Sequence, residues 1–418
     1  MRESTHVAGG AAPWADSSDA AAGMPQSTEP VEPAHVLVVD DNEVNRDLLS
    51  RRLQREGHRV GFAVDGLDAL AKVRADCFDL VLLDIMMPGM DGYQVLEQLK
   101  ADETLRHIPV ILISALNDTD NMVKGISLGA DDYLPKPFNP HILRARVNAS
   151  LARKRLHDCE QLYARSLERE MDIAREIQAG FLPRRLPAFS GWDMAAYFQP
   201  ARQVGGDFYD AFPLHAGERF AVVMADVCDK GVGAALFMAL FRSFTRAFAE
   251  RMNFLGDDST QQACNLVSYV NDYIARTHGR ANMFATLFFA VIDPASGTLV
   301  YVNGGHEAPL ICGKHGVRAR LAPTGPAVGM LPEMAFRAGR QLLEYAETLL
   351  VYTDGITDSR NAQALPFSEE RLLALLPPAD EPAAMTIERV QTAVLQHAVA
   401  AVQFDDMTML AVHRTAAA

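Results

Sequence analysis

Between His35 and about Leu151, short apolar runs alternate with stretches in which apolar residues recur every three or four positions. HVLVV, RVGFAV, LVLL, VILISA and DYL have strand length, while Asn42 to Glu56, Gly66 to Asp76, Tyr93 to Ala101, Thr119 to Leu128 and Asn139 onward have the helical period. That alternation predicts an α/β domain, a doubly wound five-stranded parallel sheet covered on both faces. From Trp192 the chain turns strand-rich: WDMAAYF, FYDAF, FAVVMADV, TLFFAVID, TLVYVNG, PLICG, MAFRAGRQLL, TLLVYTDG and MTMLAVH. Helical stretches near Val232 to Arg251, Gln261 to Thr277 and Met385 to Val402 interrupt it. Strands followed by paired helices and further strands predict two stacked sheets flanked by helices, an α/β/β/α sandwich.

Between these regions the apolar residues Leu156, Cys159, Tyr163, Leu167, Met171, Ala174, Ile177 and Phe181 advance by three or four positions each time. A single apolar stripe on so long a helix must be covered, either by its own domains or by the same helix of a second chain. The favoured expectation is a homodimeric coiled coil, although the heptad is imperfect. Pro183 and Pro187 stop the helix. The expected organisation is a disordered tail (1–33), the doubly wound domain (34–151), a helical linker (152–187) and the sandwich (188–415).

Charge narrows the function classes. A formal charge of -14 on 418 residues, without a basic stripe, argues against nucleic acid as the main partner. The five cysteines have no CxxC spacing, which fits a reducing cytoplasm and excludes a cysteine zinc site. No run approaches eighteen apolar residues, and residues 1–33 lack the basic start and apolar core of a signal peptide, so a soluble cytoplasmic protein with no membrane partner is expected.

Ligands of doubly wound sheets bind outside the carboxyl ends of the strands. Here those ends carry Asp40, Asp41, Asp84, Ser114 and Lys136. Each has a plain structural use: a cap for the helix at Asn42, a turn hydroxyl, a surface charge. Together, three carboxylates beside a lysine suit a magnesium ion and an acyl phosphate. VVDDNEVNRDLL, LVLLDIMMPGMDGYQV, ILISA and YLPKPF resemble the response regulator receiver domain, over about His35 to Leu151. The resemblance implies that Asp84 accepts a phosphoryl group and that Asp40, Asp41 and Asp84 bind Mg²⁺. It also implies that Ser114 and Tyr133 act as switch residues, that Lys136 contacts the phosphate, and that a sensor histidine kinase or phosphotransfer protein is the donor. Tyr133 equally suits a half-buried strand position. The Lys136–Pro137 bond is expected to be cis.

In the sandwich region, Asp226 ends an apolar strand and faces a glycine turn, and Asp207, Asp354 and Asp405 occupy similar strand edges. If these four converge, unit charges about 4 Å apart repel by roughly 4 kcal/mol at an effective dielectric near 20. Two divalent cations remove that cost and activate a water for in-line attack on phosphorus. VGGDFYD, ADVCDKGVGAAL, YTDGITDSR and FDDMT resemble the PPM family of metal-dependent serine/threonine phosphatases, in its stage II sporulation protein E-like branch, over about Trp192 to Arg414. AREIQAGFLP resembles the linker before this phosphatase type in sensor-coupled members.

The resemblance implies that Asp226 bridges two Mn²⁺ or Mg²⁺ ions, that Asp207 serves the second, and that Asp354 and Asp405 hold the first. Val227 contributes its backbone carbonyl. Asp229 is either an outer ligand or a turn residue, and His306 either a proton donor or an ordinary turn histidine. A phosphorylation-controlled phosphoprotein phosphatase is expected, acting on a STAS-type anti-anti-sigma factor. The alternative is a non-catalytic adaptor that keeps the fold to bind a partner, and manganese-dependent turnover of p-nitrophenyl phosphate separates the two.

Overall fold

The computed structural model describes residues 33–115, 119–255, 258–376, 381–399 and 401–415. The expected disordered tail, residues 1–33, lies outside them except for its last residue. The chain divides into two compact units within a helix, between Ala164 and Arg165.

The first unit runs β1 (His35–Val39), α1 (Glu43–Arg55), β2 (Arg59–Ala63), α2 (Gly66–Ala75), β3 (Leu80–Asp84), α3 (Gly92–Ala101), β4 (Val110–Ala115), α4 (Thr119–Ser127) and β5 (Asp132–Lys136). The five parallel strands lie in the order β2-β1-β3-β4-β5. Alternation along the inner strands builds two cores. Leu37, Val39, Val81 and Leu83 face α2 and α3, where Leu70, Leu96 and Leu99 close over them. Val36, Val38, Leu80 and Leu82 face Leu49 and Leu53 of α1, together with Leu143, Val147 and Leu151 from the helix that follows β5. Both faces being buried, these strands read as continuous apolar runs. Helix starts are fixed by side chains: Asn42 accepts from the Val44 N–H, and Asp91 and Gln94 form a capping box.

Helix α5 (Pro140–Phe181) is continuous over 42 residues. Of its stripe, Leu156, Tyr163 and Ile177 are 66%, 72% and 60% exposed, whereas Met171 and Ala174 are half-buried, Phe181 packs against the core of the second unit, and Gln178 is buried.

The second unit continues β6 (Trp192–Gln199), β7 (Phe208–Leu214), β8 (Arg219–Val227), α6 (Val232–Ala249), α7 (Ser259–His278), β9 (Ala285–Ile292), β10 (Thr298–Gly304), β11 (Leu310–Gly313), β12 (Gly316–Arg320) and β13 (Gly339–Leu342). It closes with β14 (Glu347–Tyr352), α8 (Asp354–Thr357), α9 (Glu369–Ala374), α10 (Ala383–His397) and β15 (Met407–Arg414). Two antiparallel sheets form, β13-β10-β9-β8-β7 and β12-β11-β14-β15-β6. Phe220, Met224, Phe288, Leu349, Val351 and Leu410 fill the space between them. Ala221, Val223 and Ala225 pack outward on α6 and α7, and Leu350, Met409 and Ala411 on α10. The α/β/β/α sandwich is therefore present.

Four details differ from the sequence reading. MAFRAGRQLL is extended only over Gly339–Leu342, and the β11–β12 hairpin was not expected. Asp354 opens the short helix α8 instead of a turn, with Thr353 as its N-cap. Finally, α6 is long and apolar enough by composition to cross a membrane, although its Ala234, Met238, Phe241 and Ala249 are buried against the rest of this unit.

Candidate functional site

The first unit gathers its acidic residues where β1, β3 and β5 end. Asp40 and Asp84 are buried and Asp41 is exposed. Oxygens of the three carboxylates lie within 4.8 Å of one another. Asp40 is held by the Asn42 N–H at 2.9 Å and by Asn45 Nδ2 at 3.1 Å. The Lys136 ammonium donates to Asp84 at 2.7 Å and Asp40 at 3.1 Å.

Burial pushes the Asp84 carboxyl up, and the Lys136 hydrogen bond and charge pull it partly back. Burial pushes Lys136 down, but Asp84 and Asp40 outweigh it, so its pKa ends raised and the ammonium persists. Ser114 is buried on β4, Tyr133 is half-buried on β5, and the Lys136–Pro137 bond is cis. Three converging oxygen donors suit a hard divalent cation. Sequence reading missed Asn45 and Arg46; Arg46 Nη1 donates to the Asp40 carbonyl at 2.7 Å and fixes the β1–α1 loop.

The second unit brings its four aspartates into one electrostatic cluster. Burial lifts the Asp226 carboxyl to about 7, aided by the charges of Asp354 and Asp405 and opposed by a hydrogen bond with Asp207. Burial lifts Asp354 to about 6, aided first by Asp405. Asp207, fully enclosed, is pushed well above the carboxylate range by burial and then by Asp226. This quartet is wider than the acidic triad of the first unit, the one group among the described residues with three ligand atoms all within 4.8 Å.

Residues not singled out in the sequence hold the quartet in place. Asp207 Oδ2 accepts from Thr353 Oγ1 at 2.8 Å and Thr408 Oγ1 at 2.5 Å. Asp406 is buried and accepts from the N–H groups of Ala201 and Gly206, both at 2.7 Å, and of Asp207 at 3.4 Å. Adjacent aspartates thus do different work: Asp406 organises the loop before β7, while Asp405 faces the cluster and pairs with Lys230 Nζ at 2.8 Å. Two glycines allow close approach. A Cβ on Gly206 would sit 2.8 Å from the Val227 carbonyl oxygen, and one on Gly355 would sit 2.0 Å from that of Asp406.

Asp229 is exposed in a left-handed conformation (φ 72°), and its carboxylate accepts from the Lys230 N–H, the use of a turn residue. His306 is buried; burial, opposed by the Tyr352 backbone, holds its pKa down to about 3, and Nδ1 bonds to Thr286 Oγ1 at 2.8 Å. The imidazole so placed is uncharged near neutral pH, and the backbone N–H of His306 donates to Asn303 Oδ1 within the turn.

The donor set fits divalent cations. Carboxylates that push one another towards protonation need either protons or cations, and oxygen-only donors with a backbone carbonyl at hand suit Mg²⁺ or Mn²⁺.

Known proteins share both regions. Residues 36–148 match the response regulator receiver domain, and residues 216–415 match stage II sporulation protein E (SpoIIE). Protein IcfG of Synechocystis sp. is 42% identical over 265 residues, 59% of this chain and 41% of that protein. Response regulator PleD of Caulobacter vibrioides is 49% identical over 123 residues, 29% of this chain and 27% of PleD. The chain therefore spans less than half of each of these relatives. The SiaA-PP2C domain of Pseudomonas aeruginosa has the same fold over 60% of this chain and 98% of that domain, with a TM-score of 0.53 at 20% identity.

Proposed function

We propose, for a chain that joins a response regulator receiver domain to a domain of the stage II sporulation protein E phosphatase family, that phosphorylation of Asp84 controls hydrolysis of phosphoserine or phosphothreonine on a partner protein. The observation that carries this is the gathering of Asp207, Asp226, Asp354 and Asp405 from separate elements of the chain into one cluster, with Asp207 held by Thr353 and Thr408, where burial and mutual charge raise the Asp226 carboxyl. In this reading Asp226 holds both of two divalent cations, Asp207 serves the second, and Asp354, Asp405 and the Val227 carbonyl complete the set. When bound, the cations supply an activated water and neutralise charge at phosphorus. Thr353 and Thr408 fix the Asp207 carboxylate, and Asp406 holds the backbone from Ala201 to Asp207, so the donors are positioned before a cation arrives.

In the receiver, Asp84 is the phosphoacceptor, Asp40 and Asp41 complete a Mg²⁺ site with it, and Lys136 neutralises the phosphoryl group. Ser114 and Tyr133 respond to that group. The donor is a sensor histidine kinase or phosphotransfer protein. The substrate is a phosphorylated STAS-type anti-anti-sigma factor, an extension that rests on family resemblance alone. The exposed Leu156, Tyr163, Leu167 and Ile177 of the α5 stripe support pairing of two chains.

The test is Asp226→Asn. Removing a charge that serves two cations weakens both sites, so manganese-dependent turnover of p-nitrophenyl phosphate should fall by several orders of magnitude with the melting transition retained. Full turnover by Asp226→Asn in excess Mn²⁺ would defeat the proposal.

A further inference from the structure

The segment that leads from α10 into β15 reverses the usual placing of side chains. Its polar residue is tied down: Gln403 Nε2 donates to the Gln199 carbonyl at 3.0 Å and to the Asp405 carbonyl at 2.8 Å, and Gln403 Oε1 accepts from Gln199 Nε2 at 2.8 Å. Its apolar residues face solvent instead, Val402 being 94% and Phe404 66% exposed, and Leu395 and Val399 are exposed as well. Single exposed apolar residues are ordinary, but a group of them on a fixed backbone marks a surface that another molecule covers.

The group surrounds a shaped space. Leu395, Val402 and Met407 line a cavity of about 130 Å³, with Ser359 and Arg360 on its polar side. Small-molecule pockets run to roughly 300–1,000 Å³, so this one suits a single side chain. The Arg360 guanidinium lies 5.6 Å from the centre of the Phe404 ring, and among the described residues no carboxylate pairs with it. The same ring has a second cation 3.9 Å from its centre, Lys230 Nζ, which also pairs with Asp405 Oδ2 at 2.8 Å. The apolar face therefore begins one residue from a member of the aspartate cluster.

A phosphoryl group held at that cluster belongs to a residue whose neighbours in the partner lie against whatever borders the cluster. On this side the border is the Phe404 ring, the unpaired Arg360 and the cavity. An apolar cavity takes an aliphatic side chain, and a guanidinium at its edge pairs with a carboxylate. Pairing two copies of the chain through this face would instead bring Arg360 and the acidic cluster towards their own counterparts, like charge against like.

We propose that this face of the sandwich is the docking site for the phosphoprotein partner: the cavity takes one aliphatic side chain from the segment flanking the phosphorylated residue, and Arg360 pairs with an aspartate or glutamate of that segment. The inference rests on the phosphatase reading for the kind of partner and deepens it by fixing the chemistry that the partner shows beside its phosphoryl group.

The experiment passes a peptide library, randomised on both sides of a phosphonate analogue of phosphoserine that cannot be hydrolysed, over the full chain in Mn²⁺. Mass spectrometry reads the retained sequences. Wild type should retain peptides with Leu, Ile or Val and with Asp or Glu at fixed places near the phosphonate. Arg360→Glu should exchange the acidic preference for Lys or Arg and keep the aliphatic one, an outcome that a merely structural role for Arg360 would not give. Val402→Asp should lose the aliphatic preference and bind a peptide selected by wild type about tenfold more weakly, as expected when one aliphatic side chain is no longer buried. Both positions are exposed, so both variants should melt as wild type does. If Val402→Asp loses its melting transition, Val402→Ser carries the comparison. Both variants should hydrolyse p-nitrophenyl phosphate at the wild-type rate, since it carries neither group.

Retention by wild type without an aliphatic preference, or an acidic preference that survives in Arg360→Glu, would overturn the proposal. So would a sedimentation mass that falls on Val402→Asp, which would give the face to a second copy of the chain. Peptide preferences as stated, in a wild-type protein without p-nitrophenyl phosphate turnover, would instead remove the phosphatase reading and leave the docking site standing.

Discussion

Asp226 and Asp354 show how burial and neighbouring charge act on single carboxyls. Their carboxyls are lifted to about 7 and about 6, so the cation-free folded protein holds protons that the unfolded chain releases at ordinary aspartate pH. A group whose folded-state pKa is raised favours the folded state at low pH and loses that contribution as pH rises through the folded value. The cation-free domain should therefore lose stability from this cluster between about pH 4 and about pH 7. Cations compete with those protons. Mn²⁺ should raise the melting temperature of chelator-treated protein more at about pH 8 than at about pH 5. Differential scanning calorimetry checks this, and equal increments at the two pH values would contradict it.

Lys230 supplies a second prediction at the same scale. Its ammonium lies 2.8 Å from Asp405 Oδ2 and 3.9 Å from the centre of the Phe404 ring, and both members of the ion pair are partly exposed. A divalent cation on Asp405 must displace that charge. Lys230→Met should bind Mn²⁺ about threefold more tightly, the value of a partly exposed ion pair, as read by calorimetric titration. Weaker binding would show that the lysine supports the site and does not compete for it.

At the scale of elements, α5 is the continuous helix within which the two units divide. It is 42 residues long, contributes to the receiver core at one end and reaches Gly205 at the other, and exposes Leu156, Tyr163, Leu167 and Ile177 between. Inserting two residues beside Ser166 turns one half of the helix by about 200° relative to the other at 3.6 residues per turn. Metal-dependent hydrolysis should remain measurable, while its dependence on receiver phosphorylation should vanish. A kinetic assay with and without acetyl phosphate decides, and a regulatory response surviving the insertion would exclude the helix as the coupling element. The period of the stripe was legible because helical spacing needs only local sequence. The burial of Gln178 was not, since a glutamine beside an apolar stripe looks like any solvated position until Gly205 is brought to it.

For the whole molecule, the decisive expectation is that labelling and hydrolysis are separable but coupled. Asp84 should be the one carboxylate labelled by acetyl phosphate in the presence of Mg²⁺, because it ends the central strand β3 with Lys136 Nζ at 2.7 Å. Mass spectrometry of trypsin-digested protein reads this, and undiminished labelling of Asp84→Ala would refute it. Phosphorylation should raise the hydrolytic rate, together with a change in sedimentation mass if the exposed stripe pairs two chains.

The sequence by itself determined the two sheet architectures, since apolar runs and helical periods are local signals of burial. It also marked Asp40, Asp41, Asp84, Asp207, Asp226, Asp354 and Asp405, because acidic residues at strand ends stand out against apolar runs. The tertiary structure decided which neighbours give those residues their properties. Only folding sets Lys136 between Asp40 and Asp84, puts Thr353 and Thr408 on Asp207, and separates the adjacent Asp405 and Asp406 into a residue facing the cluster and a buried anchor for Ala201, Gly206 and Asp207. These contacts join positions as far as 205 residues apart in the chain. Spacing along a sequence reports the period of one element, whereas a carboxylate's charge state and partners depend on the several elements that surround it.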